Sequence, residues 1–285
     1  MLRSIVFWGL TSIYACAQGA TFSTHCDGSF EEVTRGCSIV LRGPIVAGDV
    51  NRLVTALRQP LPSGRWYETL VLDSPGGRVS EALDLAGIVV DAMLETSTLR
   101  WGPQNADARE RPAHSKCASA CVLVWAAGAR RKAFEGSIGL HRPVLPREAY
   151  SEPPASVAKL QSDANTQVSE HLRKYQFPAD LVALLLHRAS TQIHWVSGTE
   201  LPFTHTAAWF EELLIARCKF DPTYAAETEA EAVRRSMRHA ERRLRRLPID
   251  EDSDGPGFAE FIEWRRSQYA CEFAIRRQAQ KQVAQ

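Results

Sequence analysis

The sequence predicts an α/β fold, and two observations carry that reading. Short runs of β-branched and apolar residues alternate with segments whose apolar residues recur at helical spacing. Glycine and proline turn signals stand between them, at Gly43-Pro44 and at Ser74-Pro75-Gly76-Gly77. With 285 residues, 45% of them hydrophobic, the chain can bury a real core as one large domain or as one domain plus an appendage. Strands that feed helices in this order imply an α/β core.

Taken in order, residues 38–46 (SIVLRGPIV) read as a strand interrupted at Gly43 and Pro44 and followed by a turn near Gly48. Asp49 then stands as an N-cap for a helix in which Val50, Leu53, Val54 and Leu57 fall on one face. YETLVLDSPGG repeats the plan with a short buried strand and a Pro-Gly-Gly turn. It leads into RVSEALDLAGIVVDAML, whose apolar positions are Val79, Ala82, Leu83, Leu85, Ala86, Val89 and Val90. Trp101 to Lys116 is polar and broken by Pro103 and Pro112, a surface loop. After it come CVLVWAAG, read as an apolar helix, and RRKAFEGSIGLHRP, read as containing a strand that ends at His141. A proline-rich bend leads into a helix over 155–175, where Val157, Leu160, Ala164, Val168 and Leu172 form a stripe suited to packing on the core or on another subunit.

The two ends differ from this core. MLRSIVFWGLTSIYACAQGA has the layout of a secretory signal: Arg3, an apolar run too short to span a bilayer, then small residues. Cleavage is expected after Ala17, or as late as residue 20, and the mature protein is expected to be periplasmic or secreted. A lipid anchor on Cys16 is the lesser alternative, because Tyr14 is too bulky for a good lipobox. Beyond Cys16 six cysteines remain, an even number that favours disulfides in an exported chain. Sequence alone does not choose a connectivity; joining neighbours gives Cys26–Cys37, Cys117–Cys121 and Cys218–Cys271.

The domain plan is therefore a signal over 1–17, an α/β domain over 21–215 and a helical appendage over 216–285. The appendage holds seven arginines between Arg234 and Arg246, then the acidic linker IDEDSDGPG. These arginines are either a solvated helix face or a surface for an anionic or protein partner. The formal charge of +1 does not select a partner, and export argues against nucleic acid.

The chemistry concentrates around KCASACVLVWAAG. Attack by serine on an acyl carbon needs a base in reach, donors aimed at the developing oxyanion, and an exposed nucleophile on a fixed turn. Ser119 sits where a polar loop becomes an apolar helix, so the N–H of Ala120 is among the unpaired donors of that helix's first turn. Gly76 and Gly77 of the SPGG turn can take backbone angles other residues avoid and point an N–H inward. His141 is the base candidate. Singly these features are a cap, a turn and a structural histidine; their joint order is what points to catalysis.

That order, through IVLRGPI, VLDSPGGRVSEALDL, CASACVLVWAAGARRKAF and GSIGLHRP, resembles the proteolytic subunit of the Clp protease and its periplasmic relatives within the Clp protease/crotonase superfamily. The likeness runs from about Ser38 to Val196. It implies a core of stacked β-β-α units and frequent oligomers. It also implies Ser119 as nucleophile, His141 as base, and the N–H groups of Gly76 and Ala120 as oxyanion donors. The departure is the third residue: where the family supplies an aspartate to orient the histidine, LVALLLHRASTQIHWVSG holds no acid, and Ala189 or Ser190 falls about there. Without that acid the pair is a weak dyad, borrows Ser190, Asp163 or Asp180, or is inactive; Asp163 reads as a solvated helix residue and Asp180 as a helix N-cap.

The expectation is an exported serine hydrolase acting on peptide or protein, able to form homo-oligomers and needing no metal or cofactor. His114 with Cys117 and Cys121 lacks a fourth ligand for zinc, and C-x3-C is not the thioredoxin spacing. A catalytically silent scaffold of the same fold is the alternative. An acyl-CoA enzyme of the crotonase kind fits worse, since export removes the chain from coenzyme A.

Overall fold

The structure, a computed structural model, describes residues 19–26, 36–62, 65–98, 115–201, 204–226 and 257–285. The signal segment with Cys16, residues 101–114, the Arg234–Arg246 run and most of the acidic linker lie outside the described residues.

The fold is mixed α/β. A six-stranded sheet is built from β1 (Thr21–Cys26), β2 (Gly36–Arg42), β3 (Trp66–Asp73), β4 (Glu95–Ser97), β6 (Arg130–Lys132) and β9 (Thr204–Thr206), in that spatial order. Its centre, β2 to β6, is parallel, and both edge strands pair antiparallel. A second sheet has the order β5 (Cys117–Ala118), β7 (Ile138–Leu140) and β8 (His194–Trp195). One parallel bridge between Ser74 and Cys117 links the end of β3 to the small sheet. The helices are α1 (Asp49–Leu57), α2 (Val79–Asp91), α3 (Cys121–Ala126), α4 (Pro154–Lys174), α5 (Ala179–His187), α6 (Ala208–Cys218) and α7 (Gly257–Val283).

Burial explains the arrangement. β3 is apolar along most of its length because, as a central parallel strand, it has no face open to water. All six residues of α3 are buried, so this short helix runs through the core rather than over it. The expected Asp49 cap is displaced by one position: left-handed Gly48 caps α1, and Asp49 opens the helix. The Asp49 carboxylate instead accepts the Val46 N–H at 2.8 Å and pairs with Arg52.

β4 is buried although it reads Glu-Thr-Ser, and each polar group that it buries needs a partner. Thr96 donates to the Trp125 carbonyl at 2.7 Å, and Glu95 meets Arg130, Lys132 and Arg276. Burial alone would push the Glu95 carboxyl up, but Arg276, Arg130 and Lys132 hold it at about 2. Arg276 comes from α7, is 1% exposed, and also donates to the Met93 carbonyl at 2.6 Å. One turn further along α7, Gln280 accepts the Tyr67 N–H at 3.2 Å and donates to the Ala92 carbonyl at 3.3 Å. The last helix is thereby seated on the α/β core. Position 215/216 falls inside α6, whose final residue, Cys218, is bonded to Cys271 of α7.

The other disulfides join Cys26 to Cys37 across β1 and β2, and Cys117 to Cys121. All three pairs are neighbours in sequence, as expected, and three bridges fit an oxidising, extracytoplasmic compartment. Among the described residues no helix is long and apolar enough to cross a membrane.

Candidate functional site

The serine turn is built from both sheets. β5 pairs parallel with β7, Cys117 opposite Ile138 and Ala118 opposite Gly139, and the chain then turns sharply into α3. Ser119 occupies that turn with φ 56°, one of four non-glycine residues at positive φ among those described. The left-handed region costs an ordinary residue about 1–2 kcal/mol, so neighbouring structure must hold it there. The Ser119 N–H donates to the Gly139 carbonyl at 2.9 Å, its carbonyl accepts the Val122 N–H at 3.0 Å, and the Cys117–Cys121 bridge closes around it. Ser119 stands just before the helix, where the loop ends, with Ala120 as the cap and Cys121 as the first helical residue.

The SPGG turn lies directly against it. The Ser74 N–H donates to the Lys116 carbonyl at 2.7 Å and the Ala118 N–H to the Ser74 carbonyl at 3.0 Å. Gly76, at φ 97°, approaches so closely that an added Cβ would stand 2.6 Å from Ser119 Cβ, 2.7 Å from the Ala118 oxygen and 2.9 Å from the Ala120 nitrogen. Only a residue without a side chain fits. Of the three candidate oxyanion donors, Ala120 and Gly77 have N–H groups that meet no acceptor among the described residues, whereas the Gly76 N–H donates to Ser74 Oγ at 3.1 Å.

His141 stands one residue beyond the end of β7 and two beyond Gly139, about 7 Å of strand rise past the carbonyl that takes the Ser119 N–H. Its Nδ1 lies 2.8 Å from the Arg142 carbonyl oxygen. Ser119 Oγ and His141 share no hydrogen bond, and no carboxylate bonds His141 among the described residues. Catalytic hydrogen bonds of this kind often close only when substrate is bound. The proposed substitutes for the acid lie as follows: Asp163 pairs with Lys159 at 2.8 Å on an exposed face of α4, Asp180 is in the first turn of α5, and Ser190 is in the turn after it. That turn does reach the histidine strand, since the Arg142 N–H donates to the Arg188 carbonyl at 3.2 Å.

Two features beside the site were not read from the sequence. Ile193 and Trp195 close over Gly139, at 2.8 and 2.9 Å from a Cβ placed there, and Lys116 Nζ lies 4.6 Å from the centre of the Trp195 ring. His194, opposite Leu140, is 2.8 Å from Glu200. The Glu200 carboxyl is held at about 2 by the backbone and hydroxyl of Ser197 and by His194. The cue was present in HWVSGTE, where a histidine precedes a serine and an acid on one tight turn.

No group of metal-ligating side chains occurs among the described residues. The chain matches no protein-family model, and no curated protein matches it.

Proposed function

We propose that this chain is an extracytoplasmic serine hydrolase acting on peptide or protein substrates. Ser119 attacks the acyl carbon, His141 takes its proton and passes it to the leaving group, and the developing oxyanion is received by the Ala120 N–H together with the Gly76-Gly77 turn. The carrying observation is the left-handed Ser119, held half-buried against Gly76 with the adjoining Ala120 N–H unengaged. Strain at a single residue, maintained by a disulfide and two backbone hydrogen bonds, is what a nucleophile fixed in an exposed turn requires. The order SPGG, Ser-Ala, His-x-Pro and its resemblance to the Clp protease/crotonase superfamily, with its stacked β-β-α units, support the same reading.

Labelling of the oxidised protein by a fluorophosphonate tests it. The expected adduct is on Ser119, absent in Ser119→Ala and slowed by about a hundredfold or more in His141→Ala, the usual worth of a general base. No adduct from folded, disulfide-bonded protein overturns it. The second reading, a catalytically silent scaffold of the same fold, draws on one observation: His141 has no carboxylate partner among the described residues.

A further inference from the structure

We infer that the backbone carbonyl of Arg142 takes the place of the absent carboxylate and holds His141 in the tautomer that a general base needs. The inference rests on the hydrolase reading for its purpose, but its geometry stands apart from it. A carbonyl oxygen can only accept, so the ring nitrogen that faces it, Nδ1 at 2.8 Å, carries the proton. The neutral ring then leaves Nε2 as its lone-pair nitrogen, free to receive the serine proton. A triad aspartate performs this service through the same Nδ1–H, and a wrong tautomer there costs about four orders of magnitude in turnover.

A carbonyl one residue away would orient nothing if it swung freely, and this one is pinned from three sides. The Arg142 N–H is tied to the Arg188 carbonyl at 3.2 Å. Pro143 follows Arg142, which bars the helical region to Arg142 and so restricts the direction of its C=O. Pro143 is itself buried, and its own carbonyl accepts Gln161 Nε2 from α4 at 3.1 Å. The segment just after α5, where the family resemblance calls for an acid, thus reaches the histidine through the Arg142 backbone instead of through a side chain.

The experiment measures tautomer and reactivity separately. Protein carrying 15N-labelled histidine is observed by two-bond 1H–15N correlation at about pH 8, above the ordinary imidazole range, with the His141→Gln variant used to assign the His141 signal. Fluorophosphonate labelling rates are taken on the same samples. Wild type is expected to carry the His141 proton on Nδ1. Pro143→Ala is expected to admit the other tautomer and to slow labelling about tenfold, the worth of one hydrogen bond. Arg142→Ala, which removes the side chain and keeps the carbonyl, should match wild type in both. Should Pro143→Ala not fold, Gln161→Ala frees the Pro143 carbonyl and so loosens the Arg142-Pro143 segment from the other side, with the same two readouts expected. A proton on Nε2 in wild type overturns the inference whatever the labelling shows, as does an Arg142→Ala variant that scrambles the tautomer. An Nδ1–H histidine beside an unreactive Ser119 supports the orientation and sinks the hydrolase reading instead.

Discussion

Replacing Gly76 by alanine separates a site held by close packing from a turn that merely tolerates glycine. The new methyl would stand 2.6 Å from Ser119 Cβ, where carbon atoms rest at about 3.5 Å. The serine turn must therefore yield by about 1 Å. Gly48 supplies the control: its φ of 94° is close to the 97° of Gly76, but nothing lies within 4 Å of a Cβ there. Gly48→Ala pays only for left-handed backbone, about 1–2 kcal/mol. Gly76→Ala adds overpacking against backbone and Cβ, a further 1–3 kcal/mol or so. At about 2–4 °C per kcal/mol for a domain of this size, both lower the melting temperature, Gly76→Ala by roughly twice as much. The reactivities should part more sharply. Displacement by about 1 Å costs a reacting group on the order of a hundredfold, so fluorophosphonate labelling collapses in Gly76→Ala and is unchanged in Gly48→Ala. A Gly76→Ala protein that melts with the Gly48→Ala protein and labels at the wild-type rate would refute the packing argument and, with it, the claim that this turn sets the nucleophile.

Two further outcomes follow from the same structure. Serine at both Cys117 and Cys121 opens a loop of sequence separation 4, which should lower stability by about 2 kcal/mol and slow labelling further by releasing Ser119 from its left-handed turn; a labelling rate unaffected by the double substitution would show the bridge to be irrelevant to the serine. In acid, the Glu95 carboxyl, held at about 2 against 4.5 in the unfolded chain, contributes about 3 kcal/mol above pH 4.5 that is lost as the pH falls toward 2. Glu68, pushed up first by burial and then by the Glu95 charge, works in the opposite direction, so the measurement is the gap in melting temperature between wild type and Glu95→Gln. That gap should be wide at neutral pH and close on acidification; a constant gap would mean that Glu95 is not ionised in the folded protein.

The parts of this molecule that could be read in advance are those where side-chain type and local geometry agree. The apolar β3 and the spaced helix α4 announce themselves through periodicity, and SPGG through the glycines that its turn consumes. β4 could not be read this way, because Glu95, Thr96 and Ser97 have the composition of a loop, and the burial of Glu95 is met by cations brought from β6 and α7 while that of Thr96 is met by the Trp125 carbonyl. Arg276 was equally silent: on its own helix it looks like one more exposed arginine paired with Glu272 four residues before it, and its burial also draws on Glu95, 181 residues away in sequence. At the candidate site the residue types were legible and the backbone was not. Nothing in CASAC says that Ser119 lies before the helix at positive φ, or that the Gly76 N–H turns to Ser74. The Arg142 carbonyl is invisible by construction, since every residue has one and only the fold decides which is aimed.

The bridge around Ser119 also has a consequence in time. A chain with this design leaves the ribosome with one thiol on either side of its serine, Cys117 and Cys121, and in a reducing compartment it keeps them. The bridge across the turn closes only after the chain has reached surroundings that can oxidise it. On the proposed reading, the serine turn takes its final form outside the compartment in which the chain is made.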